Sequence, residues 1–231
     1  MTPSYLVKRA LDYGLASAGL VVAGPAMLGI AAAIALDSPG GVLFAQERLG
    51  KDGRPFRLLK FRTMRPAPLQ YNADGSTRVD PSDDRVTRVG RYLRGALDEL
   101  PQLINVLRGE MSLIGPRPDL VSQRALYAPG EERKLAALPG ITGLAVVVGR
   151  TDLPWKERVR LDAWYADHWS LGLDLKILAR TLLMPAGFMS LHFSNLNKTA
   201  CSLGAPGCGC NVPWGSPRRA ARSNVVPTTR H

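Results

Sequence analysis

Residues 5–41 read YLVKRALDYGLASAGLVVAGPAMLGIAAAIALDSPGG, and residues 14–36 within them carry no charge. A helix needs about 20 apolar residues to cross a bilayer, so length alone permits a span. Gly24-Pro25 stands at the centre of the run. Pro removes a backbone donor and clashes with the preceding turn, and Gly adds backbone freedom, so a kink or break is expected there. Each half is then roughly 11 residues, about 16 Å at helical rise and half the hydrocarbon thickness. Lys8 and Arg9 precede the run, and Arg48, Lys51, Arg54, Arg57 and Lys60 follow it. Basic flanks favour the cytoplasmic side, and here both flanks ask for it. A bent hairpin that enters and leaves one face satisfies both. The other readings are a kinked single span and a secretory signal ending at Ala35. The signal reading suffers from an apolar region that is too long and is interrupted by Pro.

The rest of the 231 residues, 25.0 kDa in all, suffices for one sizeable core. Cys201, Cys208 and Cys210 all lie near the C-terminus, so no disulfide framework spans the body. The net charge is +11. Beyond the last acid, Asp174, come Lys176, Arg180, Lys198, Arg218, Arg219, Arg222 and Arg230, which leaves +4 for the body. A basic tail binds anionic lipid or nucleic acid, or merely keeps the chain soluble.

Downstream of the apolar run, VLFAQERL and PFRLLKFRTM flank the turn GKDG and predict a β-hairpin. RPAPLQYNADGSTRVDPSDDR predicts a surface loop, whose acids lack the spacing of a calcium loop. VTRVGRYLRGA predicts a short basic helix. In ALDELPQLINVLRGEMSLIGPRP, residues 96–118, Leu100, Leu103, Ile104 and Leu107 share a helical face. That spacing puts Asp98 and Glu99 at a helix N-terminus, with Asp98 as the cap. LPGITGLAVVVGR has strand character, and PWKERVRLDAWYADHWSLGLDLKILARTLLMPAGFMSL predicts two helices, whose Trp and Tyr suit either a core or a membrane interface. From about residue 191 the chain reads as a disordered tail.

Adjacent acids on a helix diverge by about 100° and do not flank a single glycosidic bond. A carboxylate nucleophile attacking phosphorus suits them better. Such a site needs a divalent cation held by oxygens, and guanidinium groups for the phosphate charge. Arg62, Arg88, Arg91, Arg94, Arg117 and Arg150 are the candidates. Capping and a favourable helix dipole remain the plain alternative for Asp98 and Glu99.

The blocks KRALDYGLA, ERLGKDGRPFRLLKFRTM, RVTRVGRYLRGALDELPQLINVLRGEMSLIGPRP, LPGITG, GR at 149–150 and LDAWYADHWSLGLDLKILART resemble the bacterial sugar transferase family, the small monotopic polyprenyl-phosphate phosphoglycosyl transferases. The resemblance runs in order over roughly residues 5–183. It implies an α+β, mainly helical protein with three parts. Residues 1–38 form a re-entrant membrane helix broken at Gly24 and Pro25, 39–190 a compact cytoplasmic catalytic domain with interfacial helices, and 191–231 the tail. It implies that Asp98 attacks the β-phosphate of a UDP-sugar, expels UMP and carries the sugar phosphate to polyprenyl phosphate, usually undecaprenyl phosphate. Glu99 would complete the dyad and, with Asp98, hold Mg2+. Lys60, Arg62, Arg88, Arg94, Arg117 and Arg150 would serve the phosphates. The expected place is the cytoplasmic face of the bacterial inner membrane, with phospholipid but no nucleic acid as partner. Two departures stand out. Where the family commonly carries Trp, Gln and Asn after PGITG, this chain has Leu144, Ala145, Val146, Val147 and Val148, and the segment before the dyad, Arg94-Gly95-Ala96-Leu97, is one residue short. A membrane-anchored basic interaction protein and a family member without activity are the competing readings.

Overall fold

The computed structural model describes residues 2–65, 83–149 and 153–183. Residues 66–82 of the predicted surface loop, Arg150 and the Cys-containing tail lie outside them. Helix α1, Pro3–Asp37, opens with Pro3 at its first turn, where a missing N–H costs nothing. Its helicity runs unbroken through Gly24 and Pro25. At about 1.5 Å per residue it is roughly 50 Å long.

Helix α1 lies along the folded domain, docked at both ends. Near its start, Lys8 Nζ donates to Ile114 O at 2.9 Å and to Asp174 Oδ2 at 2.6 Å. Asp12 Oδ1 accepts from Ser112 Oγ and from Leu113 N, each at 3.0 Å. Ala16 is buried among Phe56, Leu58, Val106 and Met111, and the Cδ1 of Leu103 lies 3.3 Å from where a Cβ on Gly19 would stand. Near its end, Ile34 packs with Phe61 and Leu93, and Asp37 Oδ2 accepts from Val89 N at 3.0 Å. The opposite face, including Leu15, Val21, Val22, Leu28 and Leu36, is exposed and apolar.

The expected hairpin is present. Strands β1, Leu43–Leu49, and β2, Pro55–Phe61, pair antiparallel from Leu43 opposite Phe61 to Leu49 opposite Pro55. The reversal uses left-handed backbone at Asp52 and Gly53 (φ 57° and 74°). The basic segment forms helix α2, Arg88–Leu93, capped by Thr87 Oγ1, which accepts from Gly90 N at 2.9 Å. Gly90 passes so close to Thr63 that a Cβ would lie 2.1 Å from its carbonyl oxygen, which fixes α2 against the exit of β2.

Helix α3 is shorter than the periodicity suggests, Gln102–Leu107, and its buried residues are Gln102, Asn105 and Val106. Of the expected face, Leu100 and Leu103 pack on clusters shared with α1, while Leu107 is exposed. Strands β3, Ser112–Ile114, and β4, Gly140–Thr142, pair in parallel. The expectation of a longer strand after Pro139 fails: Leu144–Val148 form helix α4. Gly143 is pressed against Gly115, where a Cβ would lie 2.1 Å from the carbonyl oxygen. Beyond it, Leu144, Ala145, Val147 and Val148 are buried against Leu161, Tyr165, Leu173 and Ile177. Burying a side chain of that size is worth about 1.5–3 kcal/mol, which outweighs the few tenths by which valine disfavours a helix. The two expected C-terminal helices are α5, Trp155–His168, and α6, Leu171–Leu183. Trp155 and Tyr165 belong to the core; Leu175, Leu182 and Leu183 of α6 are exposed.

Candidate active site

Gly95 has φ 109°, a backbone that favours glycine, and it turns the chain out of α2. Residues Leu97–Glu99 then make a 3-10 turn rather than the first turn of α3. Asp98 is therefore not the cap of α3. Its Oδ1 reaches back to accept from Gly95 N at 3.1 Å. Because α3 begins only at Gln102, it offers the acids no helix N-terminus.

Two cations close on the acid pair. Lys60, on β2, lies with Nζ 2.6 Å from Glu99 Oε1 and 3.7 Å from Asp98 Oδ2. Arg117, in the loop after β3, donates from Nη2 to the same Glu99 Oε1 at 3.2 Å. Burial alone would raise Glu99, but the Arg117 and Lys60 charges and hydrogen bonds outweigh it and bring the carboxyl down to about 2. Asp98 moves the other way. Burial raises it, the nearby Glu99 charge adds to this, and Lys60 opposes it only in part. The pair is thus divided into a firmly ionised acid and a more basic one, a separation common at reaction centres.

The strand that carries Lys60 is anchored by a side chain the sequence did not single out. Asn105, fully buried in α3, accepts on Oδ1 from Leu59 N at 3.0 Å and donates from Nδ2 to Arg57 O at 2.8 Å. It thereby supplies β2 with main-chain partners like those of a neighbouring strand. A lone amide within the apolar run LINVL was the only sign of it.

The remaining candidates are not gathered here. Arg62 is buried, and its guanidinium is spent on the carbonyls of Ser38 (2.7 Å) and Pro39, which ties β2 to the end of α1. Arg88 and Arg91 are exposed on α2. Arg94 caps α2 and acts electrostatically on Asp83. None of the three forms an ion pair with Asp98 or Glu99 among the described residues. Arg150 lies outside those residues. Gly24 and Pro25 stand on α1, away from the acids in sequence and role.

A metal here would find two adjacent carboxylates. No group of three or more His, Cys, Asp or Glu able to hold an ion occurs among the described residues. Two hard oxygen donors suit Mg2+, which takes one or two carboxylates and completes its shell with water and substrate phosphate.

Comparison with known proteins identifies the family. The profile of the family described as bacterial sugar transferase matches residues 3–186. A UDP-glucose:undecaprenyl-phosphate glucose-1-phosphate transferase of Caulobacter vibrioides is 44% identical over 186 residues, covering 77% of this chain and 68% of the relative. An exopolysaccharide production protein, ExoY, of Rhizobium meliloti is 39% identical over 190 residues, covering 77% and 84%. The chain spans less than half of other relatives, such as the Escherichia coli transferase of the same name as the Caulobacter protein, of which 39% is covered at 42% identity. The matched stretch holds every residue of the acid pair and its cations, and the chain belongs to the bacterial sugar transferase family.

Proposed function

We propose that this protein transfers a sugar-1-phosphate from a UDP-sugar to undecaprenyl phosphate in two steps, through a covalent intermediate on Asp98. The observation that carries the reading is the division of labour in the acid pair. Glu99 is locked in its ionised form by Lys60 and Arg117, while Asp98 keeps the more basic, hence more nucleophilic, carboxylate. In the first step an Asp98 carboxylate oxygen attacks the β-phosphorus. The bond from that phosphorus to the bridging oxygen breaks, and UMP leaves with the electron pair. In the second, a phosphate oxygen of the lipid attacks the same phosphorus, the acyl-phosphate bond breaks, and the carboxylate is restored. Arg117, with 43% of its side chain exposed, can follow phosphate charge while pairing with Glu99. When bound, Mg2+ would neutralise diphosphate charge, held by Asp98 and Glu99.

Membrane attachment through α1 on the cytoplasmic face of the bacterial inner membrane belongs to the same proposal. Helix α1 is long and apolar enough to cross a bilayer, with a mean hydropathy of 2.2 in its most apolar window, only 6% of which is buried. Its two ends dock on one folded domain, which supports attachment from one side rather than a straight span, although the helix continues through Gly24 and Pro25 without the break expected there. The basic interaction reading is weaker, because it leaves the Asp98–Glu99 pair and its convergence with Lys60 and Arg117 unexplained. Purified protein given one UDP-sugar at a time, with undecaprenyl phosphate and Mg2+, should release UMP and form a lipid-linked sugar diphosphate with at least one donor. No UMP from any donor would contradict the proposal.

A further inference from the structure

Arg117 is flanked by Pro116 and Pro118, so its N–H is the only main-chain donor of that tripeptide. Every hydrogen-bonding group of the tripeptide backbone is nevertheless engaged. Pro116 O accepts from Gly140 N at 2.9 Å, and Pro118 O from Arg48 Nη1 at 3.2 Å. The two groups of Arg117 itself go to buried charges. Its N–H donates to Asp162 Oδ2 at 3.0 Å, and its carbonyl accepts from Lys134 Nζ at 3.0 Å. Lys134 and Asp162 are 3% and 1% exposed and lie 3.1 Å apart. Lys134 also pairs with Asp119 Oδ2 at 2.6 Å, and Trp155 Nε1 and Tyr127 Oη donate to that same Asp119 carboxylate.

One lysine thus serves two buried acids, an arrangement costly for a merely structural core. Burial, partly offset by Lys134 and reinforced by Asp119, pushes Asp162 up to about 6, and its Oδ1 finds no hydrogen-bond partner among the described residues. A lone buried oxygen and a shared cation are the kind of expense retained where position matters.

We infer that Lys134 and Asp162 are positioning residues for the transfer reaction, gripping the Arg117 peptide from both sides so that its guanidinium is aimed at Glu99 and the donor phosphates. Neither residue touches the acids. They act through the main chain of Arg117 itself, whose two hydrogen-bonding groups have these partners while Gly140 and Arg48 hold only the flanking carbonyls, and proline on each side bars a regular strand. The inference rests on the proposed transfer for its activity readout, but its geometric content does not.

The test compares Asp162→Val, which removes the acceptor, with Asp162→Asn, which keeps it and leaves Lys134 balanced by Asp119 alone. Asp162→Val should lower kcat about 10²-fold, as a displacement near 1 Å does. Asp162→Asn should restore most of it. In an Arg117→Ala background, Asp162→Val should add no further loss, because its effect passes through Arg117. The double variant Lys134→Met/Asp162→Asn keeps the net charge of the buried trio and serves if Asp162→Val does not fold; it should also lose kcat. An experimental structure of either impaired variant should show the 3.2 Å contact between Arg117 and Glu99 broken. Additive losses with Arg117→Ala, or an intact contact in the impaired variant, would overturn the inference. A wild-type protein inert toward every donor would refute the transfer reading, and the Arg117–Glu99 contact in the variants would still decide this one.

Discussion

Lys8 and Asp174, 166 positions apart, meet at 2.6 Å with side chains 9% and 8% exposed, and join the first turns of the apolar helix to α6. Tyr165 Oη and Trp169 Nε1 donate to the same carboxylate at 2.6 and 3.0 Å. Removing one partner of a buried pair costs about 3–5 kcal/mol. We expect Lys8→Ala to sit near about 3 kcal/mol, because two neutral donors remain on Asp174. Lys8→Met combined with Asp174→Asn should recover most of that loss. Denaturant titration in detergent reads both, and equal losses in the single and double variants would show that the pair is not what docks α1.

Glu99 links stability to acid pH. Its carboxyl is depressed from 4.5 to about 2 in the fold, and its side chain is 18% exposed. A depressed acid contributes stability that is complete above its unfolded value and is lost as pH falls through the folded one. The contribution is about 3 kcal/mol, disappearing between about pH 4.5 and pH 2. Glu99→Gln should be less stable at neutral pH by up to that amount, and its stability should change less across that window. Parallel pH curves for the two proteins would show that Lys60 and Arg117 do not hold Glu99.

Asp98 is expected to behave in the opposite sense. Its carboxyl is raised by burial and by Glu99, so ionisation opposes folding as pH rises past the ordinary carboxylate range. Asp98→Asn retains an acceptor for Gly95 N–H and removes the charge. The variant should melt at a higher temperature at pH 7 while transfer falls about 10³-fold or more. A lower melting temperature together with full activity would remove Asp98 from the centre of the mechanism.

The glycines of SLIGPRP and PGITG are needed for contact rather than chemistry. A Cβ on Gly115 would lie 2.3 Å from Leu138 O, and one on Gly143 would lie 2.1 Å from Gly115 O. Both near atoms are backbone and cannot swing aside. Gly143→Ala should cost more than about 3 kcal/mol and yield little folded protein, whereas Gly14→Ala, with nothing within 4 Å, should be neutral or mildly stabilising. Thermal unfolding of both variants checks the contrast.

These cases show why some features were readable in the sequence and others were not. The apolar run, the hairpin around GKDG and the acid pair announce themselves through local pattern or an uncommon neighbourhood, whereas only the fold picks Lys60 and Arg117 out of the basic candidates. Helix α4 does not, because valine-rich sequence follows its burial partners rather than its propensity. The cap expected of Asp98 failed because Gly95, at φ 109°, offers its N–H from the preceding side. Arg62 carries the same side chain as Arg117, and only the fold shows that it faces the carbonyls at the end of α1. Asn105, Lys134 and Asp162 act through main-chain groups distant in sequence, which no local spacing encodes. The aliphatic stretch Leu144–Val148, which departs from the resemblance, fills the core against α5 and α6.

The most direct measurement is to mix the protein with a UDP-sugar labelled in the β-phosphate, omit the lipid acceptor, and map the labelled peptide after rapid quenching. A phosphosugar on Asp98, lost on adding undecaprenyl phosphate and absent from Asp98→Asn, is the expected result. Steady turnover with complete donor and acceptor, but no label on Asp98 at any time, would contradict it.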